Sequence, residues 1–197
     1  MSGHVTECGG PDQTEVRLLL VTGSTRHGST NTAMLRTAAL TAPGGVTAQL
    51  FDGLAGLPAF NPDDDHDPLP APVTDLREQI AACDAVVFCT PEYAGALPGS
   101  FKNALDWTVG GGEIYRKPVA WINVAAPGRG SSAQASLALV LGYVGADIMK
   151  GACAQLPVDR SQVGDDGLII DAALLADIVR AVQRVADEVR QRPPVEQ

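Results

Sequence analysis

Short apolar runs alternate with longer segments of helical composition along this chain. VRLLLVTG (Val16–Gly23) has strand length and ends in glycine, which predicts a buried strand. A helix follows over Asn31–Leu40, stopped by Pro43-Gly44-Gly45, and VTAQLFD (Val46–Asp52) alternates as a strand nearer an edge. Gly53–Pro72, rich in Pro and Asp, predicts loop. A helix over Val73–Ala82 leads into DAVVFCT (Asp84–Thr90), the clearest buried strand. Helical composition returns at Ser100–Trp107, and PVAWINVAA (Pro118–Ala126) reads as a fourth strand. Ser131–Gly145 reads as a helix capped by serine and ended by glycine. A short strand around Gly151–Leu156 and a helix over Asp171–Arg190, with Leu174, Leu175, Ile178, Val182, Val185 and Val189 on one stripe, complete the pattern.

Five strands alternating with five helices predict an α/β doubly wound parallel sheet. The pattern contains no internal repeat and no second core. Residues 16–191 are expected to form one domain, flanked by tails at 1–15 and 192–197. In such a sheet the ligand lies beyond the carboxyl ends of the strands, where strand order reverses. For the order 2-1-3-4-5, of which flavodoxin is the standard example, that point lies between the first and third strands.

Composition narrows the class. A formal charge of −9 argues against a nucleic-acid surface, which needs a basic stripe. No apolar run reaches membrane-spanning length, and the N-terminal stretch lacks the charged and apolar regions of a signal peptide, so a cytoplasmic location is expected. Cys8, Cys83, Cys89 and Cys153 have neither C-x-x-C nor zinc spacing. The last three lie in apolar surroundings and read as structural thiols. The acidic run Asp63–Asp67 reads as a solvated loop rather than a metal site.

The stretch GSTRHGSTN (Gly23–Asn31) nearly satisfies the P-loop pattern, but Ser29 stands where the lysine belongs. It opens into a helix N-terminus, where unpaired N–H groups and the macrodipole favour an anion. Ser24, Thr25, Ser29, Thr30 and Thr32 add hydroxyls, and Arg26 adds a fixed charge. Without the lysine that reaches the outer phosphates of a triphosphate, a monophosphate cradle is the better reading; a serine-rich turn without ligand is the other. G-x-G-x-x-G is missing after the first strand, no Cys-x5-Arg loop exists, and Ser24-Thr25 and Thr90-Pro91 replace the acids of a receiver domain. Dinucleotide-fold, phosphatase and receiver readings lose their support.

The stretch TPEYAGALPGSFKNALDW (Thr90–Trp107) carries a stiff turn at Pro91, Pro98 and Gly99, a flat aromatic face at Tyr93, and a glycine at Gly95 that allows close backbone approach. These features suit a planar ring. Here the chain resembles the NAD(P)H-dependent FMN reductases of the flavodoxin-like superfamily, relatives of chromate, quinone and azo-dye reductases. Their first loop, roughly G-S-x-R-x-x-S-x-N, is matched by Gly23, Ser24, Arg26, Ser29 and Asn31. Their third-strand loop is matched by Pro91, Glu92, Tyr93, Pro98, Gly99, Lys102, Asn103, Ala104, Asp106 and Trp107. LPAFNPDDD (Leu57–Asp65) is similar to a third family segment. Ala94 replaces the usual asparagine, and RGSSAQ departs from the family's fourth-strand loop at Arg129 and Ser132.

The resemblance implies a bound FMN that takes hydride from NADPH or NADH and reduces a small acceptor such as a quinone, an azo compound, a metal oxyanion or free flavin. Ser24, Arg26, Ser29, Thr30, Asn31 and Thr32 would hold the phosphate. Pro91, Glu92, Tyr93, Ala94 and Gly95 would line the ring, and Pro127, Gly128 and Arg129 would close the other side; an exposed loop arginine is the alternative for Arg129. The flavin carries the chemistry, so no catalytic side chain is assigned. A flavodoxin-like electron carrier and a flavin-free domain of the same fold are the rival readings. Family members are commonly dimers or tetramers, and Trp107, Ile114 and Tyr115 beside a glycine-rich loop suggest an interface of this kind, with packing in its own chain the alternative for Trp107.

Overall fold

The computed structural model describes residues 15–192. The predicted N-terminal tail, apart from Glu15, lies outside them, as do Cys8 and residues 193–197. Strands β1 (Val16–Thr22), β2 (Val46–Phe51), β3 (Ala85–Cys89), β4 (Pro118–Asn123) and β5 (Asp147–Ile148) form a parallel sheet in the order β2-β1-β3-β4-β5, and β6 (Ala154–Gln155) also pairs with β4. The helices are α1 (Thr30–Leu40), α2 (Ala71–Ala82), α3 (Gly99–Asp106), α4 (Ser131–Tyr143) and α5 (Ala172–Arg190).

Successive side chains of a strand point to opposite faces, so a central strand covered on both faces must be apolar throughout. In β1, Leu18 and Leu20 enter one core with α1 and α5, while Leu19 and Val21 enter the other with α2, α3 and α4. In β3, Val87 and Cys89 face the first core, and Val86 and Phe88 the second. Strand order explains the division. The chain steps one way from β1 to β2 and the other way thereafter, so crossovers of a single hand place α1 opposite α2–α4. The loops after β1 and β3 leave the sheet on either side of this reversal, where folds of this kind place their ligand.

The fifth strand differs from the sequence expectation of one segment near Gly151–Leu156. Two short pieces pair with β4 at different heights, Asp147 and Ile148 opposite Pro118 and Val119, then Ala154 and Gln155 opposite Ile122 and Asn123. Between them the amides of Ala152 and Cys153 both donate to the Met149 carbonyl, a turn that lifts the chain off the sheet and buries Met149 and Ala152. With only two residues paired in each piece, no alternation long enough to read exists.

The interface expectation fails for Ile114, which is buried in its own chain, and Trp107 takes its packing alternative, buried likewise. The Trp107 indole donates to the Pro58 carbonyl at 2.9 Å and meets Phe60 edge-on with ring centroids 5.0 Å apart. Asn103 donates to the same carbonyl and accepts from the Phe60 amide at 2.7 Å, so two of the motif segments noted above hold each other. Of the three proposed interface residues, Tyr115 alone remains exposed. Lys102 and Asp106 pair along α3 as their i, i+4 spacing suggests.

Candidate functional site

Three loops meet at the carboxyl edge around the β1/β3 reversal. In the first, the Gly23 amide donates to the Cys89 carbonyl at 2.8 Å, holding the loop against the end of β3. Ser24 and Ser29 are buried, whereas Thr25, Arg26, His27 and Gly28 are exposed. The Thr22 hydroxyl accepts from the Ser24 amide, and Ser24 Oγ accepts from the Arg26 amide, each at 3.3 Å. A hydroxyl that accepts in this way keeps its own hydrogen for a ligand.

Ser29 is the N-cap of α1, yet its side chain makes no capping bond. Among the described residues, the amides of Thr30, Asn31 and Thr32 have no partner. This is an open helix N-terminus with its positive dipole end at the carboxyl edge of the sheet. Two of the side chains expected to serve a ligand are engaged elsewhere. Thr32 Oγ1 meets Thr22 Oγ1 at 3.1 Å, and Asn31 Oδ1 accepts from the Cys89 thiol at 3.3 Å. Complete burial pushes the Cys89 thiol far above its ordinary range, so it stays protonated and serves as a donor.

The third-strand loop closes as a tight hairpin. The amides of Tyr93 and Ala96 each donate to the other residue's carbonyl, at 3.1 and 3.0 Å. Ala94 and Gly95 between them take φ of +51° and +73°, the two positive angles of a type I′ turn. Tyr93 stands half exposed at its base. Alanine is a poor residue at this first position, because its Cβ crowds the backbone there. Ala94→Asn is therefore expected to raise the unfolding free energy by about 1 kcal/mol in urea denaturation, since asparagine tolerates the conformation.

Glu92 has a role the sequence does not reveal. Its carboxylate accepts from the amides of Ser132 and Ala133 at 3.1 and 3.2 Å, capping α4 from a different loop. The predicted serine cap is absent: the N-cap is Gly130, in the left-handed region and without a side-chain bond. The predicted glycine stop is present, with Gly145 and Ala146 donating to Gly142 and Leu141 in a Schellman arrangement. Of the three helices that start from these loops, α4 has its N-terminus filled by a carboxylate, whereas α1 and α3 have no side-chain cap.

The fourth-strand loop turns at Pro127-Gly128, where Gly128 has φ of +78° and the Arg129 amide donates to the Ala126 carbonyl at 2.9 Å. Arg129 projects from it, exposed, and no side-chain partner among the described residues engages it. The loop rests on Asn123, a residue outside the motifs whose only sequence signal is a polar end to an apolar strand. All fourteen proposed site residues thus fall on these three loops and the first turn of α1, at one edge of the sheet.

A doubly wound sheet with an open helix N-terminus and a hairpin loop at its switch point defines a flavodoxin-like protein. The family model described as NADPH-dependent FMN reductase matches residues 16–158, and the chain belongs to that family. FMN is accordingly its cofactor. An NAD(P)H-dependent FMN reductase of Pseudomonas aeruginosa is 41% identical over 93 residues, 47% of this chain and 50% of that protein. The chain spans about half the length of this and the other first curated relatives it matches. A 2-hydroxy-1,4-benzoquinone reductase of a Burkholderia species is 30% identical over 185 residues, covering 90% of this chain and 98% of that one. Among solved structures, the FerB flavoenzyme NAD(P)H:(acceptor) oxidoreductase of Paracoccus denitrificans superposes with a TM-score of 0.72 at 29% identity, over 87% of this chain and 98% of that chain.

The residues present fit the phosphate end of FMN. A cradle of three unpartnered amides, two buried serines and a neighbouring arginine matches the donors that a terminal phosphate dianion needs.

Proposed function

We propose that the domain at residues 16–191 is an NAD(P)H-dependent FMN reductase acting on a small acceptor of the quinone or azo type, with the FMN phosphate at the N-terminus of α1. The observation that carries this reading is the N-terminus of α1, left without a side-chain cap beside the buried Ser24 and Ser29, where that of α4 is filled by Glu92. FMN bound here would supply the redox chemistry that links NADPH or NADH to the acceptor. The chain's part is to bind and orient. Ser24, Ser29 and the amides of Thr30, Asn31 and Thr32 would donate to the phosphate, and Arg26 would add its charge beside it. The backbone of Pro91, Glu92, Ala94 and Gly95 would line the ring, Tyr93 would flank it, and Pro127, Gly128 and Arg129 would close the far side.

Two measurements test this. The purified protein should bind FMN in a one-to-one complex, and Arg26→Ala should weaken that complex by about 1.5 kcal/mol, the low end for a charged hydrogen bond because the side chain is solvent-screened. Unchanged affinity in the variant removes Arg26 from the phosphate site. Steady-state oxidation of NADPH with a benzoquinone acceptor tests turnover. A wild-type protein that binds flavin yet oxidises neither NADPH nor NADH refutes the enzymatic reading.

The proposal includes a cytoplasmic homo-oligomer, a dimer or tetramer. Among the described residues no helix is long and apolar enough to cross a membrane. Val109, Tyr115, Leu139 and Tyr143 are exposed, and Val109, Tyr115 and Tyr143 border a cavity of about 310 Å³. Tyr143 is 92% exposed, an unusual place for a tyrosine that touches nothing in its own chain's core. Sedimentation equilibrium is expected to show an oligomer at micromolar concentration, and Tyr143→Glu is expected to shift it to monomer. A monomeric wild type overturns this part of the proposal alone.

A further inference from the structure

The loop between β4 and α4 is held by two carboxamides that belong to none of the motifs. Asn123, the last residue of β4, is 5% exposed. Its Oδ1 accepts from the Ala125 amide at 3.0 Å, and its Nδ2 donates to the Arg129 carbonyl at 3.2 Å and to Gln155 Oε1 at 2.9 Å. Gln155, on β6, donates in turn through Nε2 to the Ala125 carbonyl at 2.8 Å. One side chain therefore grips both ends of the loop, and the second grips its start.

The surroundings allow only one orientation of the Asn123 amide. Its nitrogen faces two oxygen acceptors and its oxygen faces an N–H, so reversing it would leave three unfavourable contacts. Gly130 lies flat against this amide, where a Cβ would come within 2.8 Å of both Nδ2 and Oδ1, with φ of +81°. Asparagine is the residue that supplies a donor and an acceptor at this reach. Aspartate keeps the bond to Ala125 and sets an oxygen against the Arg129 carbonyl; leucine keeps neither.

We infer that Asn123, braced by Gln155, is a positioning residue for flavin binding: it fixes Pro127–Arg129 at the ring end of the site and so sets affinity for the isoalloxazine independently of the phosphate. This rests on the site reading given under Proposed function. The distinction matters because the phosphate cradle on α1 and the carboxamide pair on β4 and β6 are built from separate elements. Losing the first should weaken FMN only. Losing the second should weaken any flavin.

The experiment is a titration of FMN and of riboflavin, which lacks the phosphate, into the full chain and its Asn123→Ala, Asn123→Asp, Gln155→Ala and Asn123→Ala/Gln155→Ala variants. Binding is followed by quenching of flavin fluorescence. Asn123→Ala and Asn123→Asp are each expected to weaken both ligands by the same factor, about tenfold, from the loss of hydrogen bonds that position the loop. Gln155→Ala should weaken both by less, and the double variant should be no worse than Asn123→Ala, because the two carboxamides act through one loop. The visible absorption band of bound flavin should shift in the Asn123 variants and not in Arg26→Ala.

Equal affinity of folded Asn123→Asp and wild type for both flavins overturns the inference. So does a loss confined to FMN, or strict additivity of the two substitutions. If Asn123→Ala does not fold, Asn123→Asp and Gln155→Ala decide by the same criteria. A wild-type chain that binds neither flavin refutes the underlying site reading instead, so the two failures are distinguishable.

Discussion

Arg77→Ala is expected to lower the unfolding free energy by about 3–5 kcal/mol, the usual cost of removing one partner from a buried ion pair. Arg77 lies on α2 and is buried, with its Nε donating to the Trp107 carbonyl at 2.7 Å and Nη2 to Asp65 Oδ1 at 2.6 Å. Glu113 Oε2, which has no hydrogen-bond partner of its own, sits 3.8 Å from Nε. One guanidinium thus neutralises a carboxylate from the acidic loop, faces another from the glycine-rich loop, and caps the carbonyl end of α3. Without it two poorly hydrated carboxylates share a site with no counter-charge. Urea unfolding of the variant measures the loss. Arg77→Met combined with Asp65→Leu should cost less than Arg77→Ala alone, because it removes one of the two stranded charges along with its partner. If Arg77→Ala costs under 1 kcal/mol, water reaches the cluster and the pair is a surface interaction.

This cluster also shows where sequence reading stops. Asp65 sits inside an acidic run and Arg77 on a helix with Asp75 and Glu78, and each looks like part of a solvated face. Only the fold brings the two together, 12 positions apart, under Trp107. The central strands are the opposite case. Burial on both faces forces unbroken apolar runs, Leu18–Val21 in β1 and Ala85–Cys89 in β3, and a run of that kind is visible in one dimension. The three site loops were legible for a related reason, since Gly23, Gly28, Gly95 and Gly128 mark backbone turns at strand ends, and Gly28, Gly95 and Gly128 adopt positive φ. Chemical role was less legible than position. Glu92 reads as a ligand-side residue and its carboxylate caps α4; Thr32 reads as a phosphate donor and its hydroxyl meets Thr22. A polar side chain's partner depends on what another loop presents to it, and no local pattern encodes that. The split of the fifth strand and the burial of Ile114 were hidden likewise, each decided by contacts with segments distant in sequence.

Gly23→Ala is expected to destabilise the protein by about 1–3 kcal/mol, the range for overpacking a filled site, and to weaken FMN binding at the same time. Here the need for glycine is a matter of space. A Cβ at Gly23 would lie 2.2 Å from Thr90 Oγ1, 2.5 Å from Thr90 Cβ and 3.0 Å from Thr90 Cα. Rotating the threonine hydroxyl away relieves the first contact and leaves the other two, so the ends of β1 and β3 must move apart. That movement strains the bond from the Gly23 amide to the Cys89 carbonyl and shifts the open end of α1 relative to the hairpin at Tyr93. Stability and FMN affinity should therefore fall together. Gly28→Ala is the control: nothing lies within 4 Å of its Cβ, and its cost comes from φ of +66° alone. Combining Gly23→Ala with Thr90→Gly removes the two shortest contacts and leaves the one to Cα at 3.0 Å, so part of the lost FMN affinity should return, while the new glycine lowers stability by roughly 0.5–1 kcal/mol. Urea unfolding and an FMN titration on the three variants read both effects. Full FMN affinity in Gly23→Ala would mean that the seam between β1 and β3 can open without disturbing the cradle, and that the close approach of the two strand ends serves the fold alone.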